Sequence, residues 1–490
     1  MKERSKYEPL LYAILIGFGV MVGLFWNVFV QKKGFGQNTK IEQVMSLLER
    51  EYVDSLSYSQ IEDRGISQML QSFDPHSVYI PTQYVEFASQ DLKANFVGVG
   101  VEFMIYRDTP YVVRVLQQGP AYVARVLPGD RILKADTNNL LKLESDKVIA
   151  LIKGESKSLV KLNIYRPQTK QNLTVEVKRE SIKNPSVYGF QVDSKTLYVK
   201  IEHFAENTSE EFVNFIEKSK TNTTKNLIID LRNNTGGYLK TAIDILDEIV
   251  SGEELLAYTK SHSKTETRYS SSKKGICEDL NIAVLVNENS ASASEIVSGA
   301  LQDLDRALII GSQTYGKGLV QETFQLHDGS QIRLTISRYY IPSGRSIQKP
   351  YDKDGYKHLD SLALAEYGKD FKTKNGRIVK SLGGITPDIL LSNTDENYST
   401  KNIGISAIKI LDKNINRWHN MDYQTWVSSG QIDAVIHSNI DSTHHFLPVK
   451  NRLIYQLYGS EPLYQFELKQ DEAVKRALQE FSASNKLFLF

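Results

Sequence analysis

A short β-branched apolar run, Ile282 to Val286, leads directly into Asn287-Glu-Asn-Ser-Ala-Ser-Ala-Ser-Glu295, and then into Ile296, Val297, Ala300, Leu301 and Leu304 at helical spacing. Such a run suits a strand buried on both faces, and the periodicity after it is that of a helix. Ala307 to Gly311 is another apolar strand, followed by Gly316-Lys-Gly-Leu-Val-Gln321. Upstream, Leu197 to Ile201 and Asn226 to Leu231 read as strands. Tyr238 to Val250 reads as a helix carrying Leu239, Ala242, Ile243, Leu246 and Ile249. Strand, turn and helix repeated in this way predict an α/β core with mostly parallel strands.

The turn before Ile296 sits at the positive end of a helix. Ser292 with Glu295 three positions on has the spacing of a capping box, which is the structural reading of these serines. The chemical reading depends on Lys317. It lies between Gly316 and Gly318, just after a strand, where the backbone is free to bend sharply. A lysine delivered into an apolar core loses solvation, its pKa falls, and it becomes able to accept a proton. A serine beside such a lysine is a nucleophile and base pair. Asp230-Leu-Arg-Asn-Asn-Thr-Gly-Gly237 stands between another strand and helix. Its glycines either permit a tight turn or leave backbone N–H groups free for an oxyanion.

With 490 residues the chain is long enough for two or three domains with real cores. Its 59 basic and 58 acidic side chains balance, which argues against nucleic acid as the main partner. Cys277 is the only cysteine, so no disulfide forms within the chain. Pro9 to Val30 is almost wholly apolar and carries no charge, with Lys2, Arg4 and Lys6 before it and Lys32 and Lys33 after. About 20 such residues span a bilayer, and the only candidate cleavage site after the run, Gly34-Phe-Gly36, lies beyond two lysines. An uncleaved membrane anchor is expected, with the flanking charges favouring an inside N-terminus only weakly.

From Ile41 to about Asn95 the pattern is helical, broken by Asp74-Pro-His-Ser77. His76 has no second histidine at ligand spacing and is read as a turn residue rather than a metal ligand. Phe96-Val-Gly-Val-Gly-Val-Glu102 then opens a β-rich module, with Gly119-Pro-Ala121 as a helix start, Leu127-Pro-Gly-Asp130 as a turn, and strands near 159–165 and 173–177. Its element order resembles a PDZ domain with permuted strands. The resemblance implies that Gly98, Val99, Gly100 and Val101 form a carboxylate-binding loop beside an edge that pairs with a peptide strand.

Taken in order, Asp74-Pro-His-Ser77, Gly119-Pro-Ala121, Pro128-Gly-Asp130, Asp230 to Gly237, Ser290-Ala-Ser-Ala-Ser-Glu295, Gly316 to Gln321, Tyr339-Tyr-Ile-Pro-Ser-Gly-Arg345 and Gly383-Gly-Ile-Thr-Pro-Asp388 resemble the C-terminal processing peptidases, or tail-specific serine proteases. The resemblance implies an α+β multidomain protein with an α/β core of the crotonase/ClpP kind and an inserted PDZ-like domain. It makes Ser292 the nucleophile, Lys317 the general base and Gln321 the residue that orients the lysine. The oxyanion hole becomes the Ala293 N–H with that of Gly236 or Gly237. In a straight strand Lys317 and Gln321 would lie about 13 Å apart, so their contact requires a bent or helical segment. No metal or organic cofactor is implied. The partners implied are proteins with apolar C-terminal tails, and a homo-oligomer is left open. The catalytic part is expected outside the cytoplasm.

The expected layout is a cytoplasmic tail over 1–8, an anchor over 9–30, a helical region over 38–92, the PDZ-like domain over 93–181, the catalytic core over 182–392 and a helical extension over 393–490. Two departures from the family pattern stand out: Thr235 where proline is usual, and the extension, which ends in Leu487-Phe-Leu-Phe490. Self-docking of that end in the groove is the sharper reading of it, and burial in the protein's own core the plainer one. His203 with Asp230 offers a Ser-His-Asp alternative. His444 and His445 point apart in either regular structure, against a shared metal. The rival functions are an inactive PDZ-type scaffold at the membrane and an acyl-group enzyme on a crotonase-like fold.

Overall fold

The computed structural model describes residues 13–21, 39–88, 92–263, 265–272, 274–350, 361–391, 400–440 and 445–483. Most of the expected anchor over 9–30, and all of Leu487 to Phe490 and His444, lie outside these residues. Among the described residues no helix is long and apolar enough to cross a membrane. The chain divides into two compact units, Met1–Ser72 and Phe73–Phe490.

In the first unit, α1 (Lys40–Glu51) and α2 (Tyr58–Gln71) each begin with a capping box, Thr39 with Glu42 and Ser57 with Gln60. The helical reading of 38–92 is then interrupted, with Thr82–Tyr84 and Val85–Ala88 helical again beyond the interruption. After the turn at Asp74, β1 (Val78–Ile80) is a strand of the second unit, its β-branched residues extending once proline has stopped the helix.

The module that follows holds β2 (Asn95–Gly98), β3 (Val101–Tyr106), β4 (Thr109–Val115), β5 (Arg131–Ala135), α3 (Ser145–Ile152), β6 (Leu159–Arg166), β7 (Gln171–Lys178) and β8 (Glu180–Lys183). Its main sheet runs β3-β4-β5-β6-β7, so β3 is an edge strand, and β2 pairs with β8. Val112, Ile132, Leu162, Ile164, Val148 and Ile152 close its own apolar core.

The core domain contains β9 (Val187–Gln191), β10 (Thr196–Ile201), α4 (Thr208–Ser219), β11 (Asn226–Asp230), α5 (Leu239–Asp247), β12 (Leu255–Ser261), β13 (Glu266–Ser270), β14 (Asn281–Val286), α6 (Ala293–Asp303), β15 (Ala307–Gly311), β16 (Leu319–Gln325), β17 (Gln331–Tyr340) and β18 (Ile389–Leu390). One sheet runs β9-β10-β11-β14-β15-β18, parallel throughout except for the β9/β10 pair. Alternate residues of each strand serve opposite faces. Leu227, Ile229 and Val284 pack with α4, α5 and α6, whereas Ile228, Ala283 and Leu285 pack with Ala473, Val474 and Ala477. Burial on both faces is why these strands read as unbroken apolar runs, and each fully buried Ile or Leu contributes roughly 1.5–3 kcal/mol. A second, antiparallel sheet runs β1-β17-β12-β13, with β16 also paired to β17.

The extension is helical, with α7 (Thr400–Trp418), two short helices over 423–438, α8 (Phe446–Tyr458), α9 (Ser460–Leu468) and α10 (Glu472–Ala483). It has a core of its own around Trp418 and Trp426. Its reach was not legible in the sequence. Besides α10 on the sheet, Asp412 pairs with Arg131 at 2.9 Å and Tyr455 donates to Glu102 at 2.6 Å, so it also holds the β3–β5 module.

Candidate active site

Two turns at the carboxyl ends of parallel strands meet here. In the first, after β11, Asn233 takes a left-handed φ of 61°, a conformation asparagine tolerates. Asn234, fully buried, joins the two turns. Its Nδ2 donates to the Ile201 carbonyl at 2.9 Å, and its Oδ1 accepts the Gly236 N–H at 2.9 Å. Its own carbonyl accepts the Ala291 N–H at 3.0 Å and the Ser294 hydroxyl at 2.9 Å. Glycine is required next: a Cβ on Gly237 would lie 2.1 Å from the Phe204 carbonyl oxygen, and one on Gly236 2.8 Å from the Ser292 Cβ.

The second turn, after β14, separates its three serines. Ser290 donates to the Leu231 carbonyl at 2.8 Å and Ser294 to that of Asn234, and both are fully buried. Ser292 alone lines a cavity of 1150 Å³. It has φ 55° and ψ −114°, the strained geometry of a side chain thrust out at a sharp strand-to-helix turn. The cap expected from the spacing is present on the glutamate side, with the Ser292 N–H donating to Glu295 Oε2 at 2.9 Å.

Glu295 does more than cap. Fully buried, it accepts the Thr314 hydroxyl at 2.6 Å and the Gly316 N–H at 2.7 Å on Oε1, and the Lys317 N–H at 2.9 Å on Oε2 beside that of Ser292. Burial pushes its carboxyl up to about 7, against the pull of these four donors. One carboxyl thus ties the backbone of Ser292 to that of Lys317. Tyr339, 1% exposed, reinforces the link from β17: its hydroxyl lies 2.5 Å from the Lys317 carbonyl and 3.1 Å from that of Ser292.

Lys317 Nζ donates to Gln321 Oε1 at 3.0 Å. The contact forms without a helical turn: Lys317 stands two residues before β16, and the β16/β17 register slips between Val320 and Gln321, a bulge that bends the strand. Burial, then the Arg333 guanidinium, lowers the lysine pKa, opposed by Asp74 and Glu295.

Ser292, Ala293, Gly236, Gly237, Lys317 and Gln321 all line this cavity. The choice between glycines is narrowed by hydrogen bonding. The Gly236 N–H is taken by Asn234, whereas those of Gly237 and Ala293 have no acceptor among the described residues. The Ser-His-Asp alternative is not assembled. His203 lines the cavity, but Asp230 accepts from Tyr198 at 2.6 Å, from Lys200 at 3.2 Å and from Arg232, and faces a separate cavity of 590 Å³. Burial alone would raise the Asp230 carboxyl, yet Arg232 and Lys200 hold it well below the usual range. Asn234, Tyr339 and the bracing by Glu295 were missed in the sequence. Tyr339 lay inside a recognised motif, and Glu295 was read only as a cap.

A groove of 400 Å³ runs between β3 and α3, lined by Gly98, Val99, Gly100, Val101, Phe103, Ile149 and Ile152. The Val99 and Gly100 carbonyls accept from Ala121 and Leu116, and their N–H groups have no acceptor among the described residues. Gly98 belongs instead to the β2/β8 ladder. Phe96, Val101 and Glu102 line both the groove and the cavity.

Residues 195–355 match peptidase family S41, and residues 97–177 match the PDZ domain. A probable CtpA-like serine protease of Staphylococcus haemolyticus (strain JCSC1435) is 27% identical over 76% of this chain and 77% of its own length. The carboxy-terminal processing protease CtpB of Bacillus subtilis (strain 168) is 30% identical over 63% of this chain and 65% of its own. Among solved structures, a photosystem II D1 C-terminal processing protease aligns over 72% of this chain and 92% of its own, at 23% identity and a TM-score of 0.40. Over residues 195–355 and over the module before them, the chain is thus similar to serine-type carboxy-terminal processing proteases, with the S41 peptidase match in the core and the PDZ match in the module.

Proposed function

We propose that this peptidase works through a Ser292–Lys317 dyad on a core of the crotonase/ClpP kind, and that the groove at Val99 and Gly100 takes the substrate's C-terminal tail. The observation that carries the reading is the shared cavity, where the one serine of three with no tie to the neighbouring turn stands with a lysine of lowered pKa and two N–H groups that have no acceptor among the described residues. Neutral Lys317 takes the Ser292 hydroxyl proton as the oxygen attacks the scissile carbonyl carbon. The oxyanion is received by the Ala293 and Gly237 N–H groups. The lysine ammonium returns the proton to the departing amine, and water, deprotonated by the same lysine, releases the acyl group. Gln321 keeps the lysine oriented through this exchange.

The groove suits an added peptide strand along the free edge of β3, with a chain-end carboxylate at the Val99 and Gly100 N–H groups and apolar side chains against Ile149 and Ile152. In the same reading, Pro9 to Val30 anchors the chain and the catalytic part lies outside the cytoplasm. The test compares protein C-termini in cells carrying the wild type or Ser292→Ala. Shortened, formerly apolar tails should vanish in the variant, and an unchanged set of C-termini overturns the assignment. Retention of the chain in carbonate-washed membranes tests the anchor, and its release into the wash would exclude one.

A further inference from the structure

The turn that ends the helical region, Asp74-Pro-His-Ser77, has no part in the mechanism above, yet it is bonded to the strand facing the base. Asp74 is 9% exposed and Ser77 1%. Asp74 Oδ1 accepts the His76 N–H at 2.8 Å, the Ser77 N–H at 2.7 Å and the Thr335 hydroxyl at 3.3 Å. Oδ2 accepts the Ser77 hydroxyl at 2.6 Å, and that hydroxyl oxygen accepts the Thr335 N–H at 3.2 Å. Thr335 is thereby held through both its backbone and its side chain.

Thr335 is the cross-strand partner of Gln321, beside the slip between Val320 and Gln321. A bulge interrupts the ladder that would otherwise fix the strand. The Gln321 amide offers little help, since its Nε2 is shielded from solvent and has no partner among the described residues. Its Oε1 is nevertheless the acceptor for Lys317 Nζ.

We propose that Asp74 is a positioning residue for the base: through Ser77 and Thr335 it pins β17 opposite the bulge, and so keeps the Gln321 carbonyl within reach of Lys317 Nζ. The inference rests on the assignment of Ser292 and Lys317 as nucleophile and base. The charges facing Lys317 are Arg333 on β17, which favours the neutral amine, and Asp74 and Glu295, which favour the ammonium. His76 is held below its ordinary range by burial and by Lys317, so it is neutral at neutral pH and adds no charge.

The experiment measures kcat, KM and the pH profile of full-length Asp74→Asn, Thr335→Val and Thr335→Ser, with active sites titrated so that rates refer to folded enzyme. Asp74→Asn should lower kcat about tenfold with KM unchanged, the size expected when one buried hydrogen bond to a charged group is lost. Removing the carboxylate charge also lowers the lysine pKa, so the acid limb moves to lower pH. Thr335→Val should lower kcat severalfold, and Thr335→Ser should restore it. A merely structural role would reduce the titratable enzyme without moving the limb. Wild-type kcat per active site and an unmoved limb in both Asp74→Asn and Thr335→Val overturn the proposal, and if Asp74→Asn does not fold, Thr335→Val against Thr335→Ser decides it. Lys317→Ala and Ser292→Ala are assayed alongside: cleavage by either would sink the dyad itself, whereas two inactive variants with normal Asp74→Asn would sink only the brace.

Discussion

Around Ser292, polar side chains from distant parts of the chain hold the backbone in place. Asn234 joins the two turns, Glu295 ties Ser292 to Lys317, and Tyr339 spans both from β17. Around Gly98 to Val101 the backbone shapes the groove largely by itself, against apolar Phe103, Ile149 and Ile152. The difference fits the two tasks proposed for them. A proton transfer fails when the groups shift by an ångström, so they are over-determined by buried bonds. Capture of a chain end needs only an open edge and free N–H groups.

That contrast breaks most readily at the dyad. Ser292→Ala and Lys317→Met should each reduce peptide cleavage by roughly 10³-fold or more, while the affinity for a tail peptide, read by fluorescence polarisation, stays at the wild-type value. Loss of tail binding in either variant would mean that cavity and groove are not separate devices. Lys317→Met also carries a stability signature. Burial lowers the lysine pKa, so the folded state is penalised where the amine is protonated and relieved as pH rises. The melting temperature of the variant should therefore exceed wild type most at low pH and converge with it above the ordinary lysine range.

Gly237→Ala comes next, because its Cβ meets the Phe204 carbonyl at 2.1 Å and displaces a proposed oxyanion donor. A fall of about 10²–10³-fold in kcat with little change in KM is expected, and near-normal turnover would return the role to another N–H. Glu295→Gln replaces an acceptor of four donors by an amide that repels one of them. About 10–100-fold in kcat should be lost, measured on protein whose circular dichroism is unchanged. The smallest effect belongs to the groove: Ile149→Asp should raise KM about tenfold for tailed substrates and leave short, untailed peptides unaffected. An equal loss on both would deny the groove its separate task. In the wild type, activity should rise with pH along an acid limb lying below the ordinary lysine range.

Much of this was legible in the chain. The apolar runs at Leu197, Asn226, Ile282 and Ala307 are all strands of the main sheet, because burial on both faces leaves an unambiguous composition. The strand at Val78 was not, since three residues after a turn carry no periodicity. Gly236 and Gly237 were indistinguishable by type and differ only in which N–H Asn234 takes. Thr335 and Asp74 lie far apart in sequence and are paired only by folding.

The sequence by itself determined the layered core, the order of its modules and the short set of residues able to do chemistry, since these depend on local periodicity and residue type. The tertiary structure decided which serine faces the cavity, which glycine N–H is left open and what holds the lysine. Those outcomes turn on which hydrogen-bond partner each buried group finds, and the partners come from strands and turns that only the fold brings together.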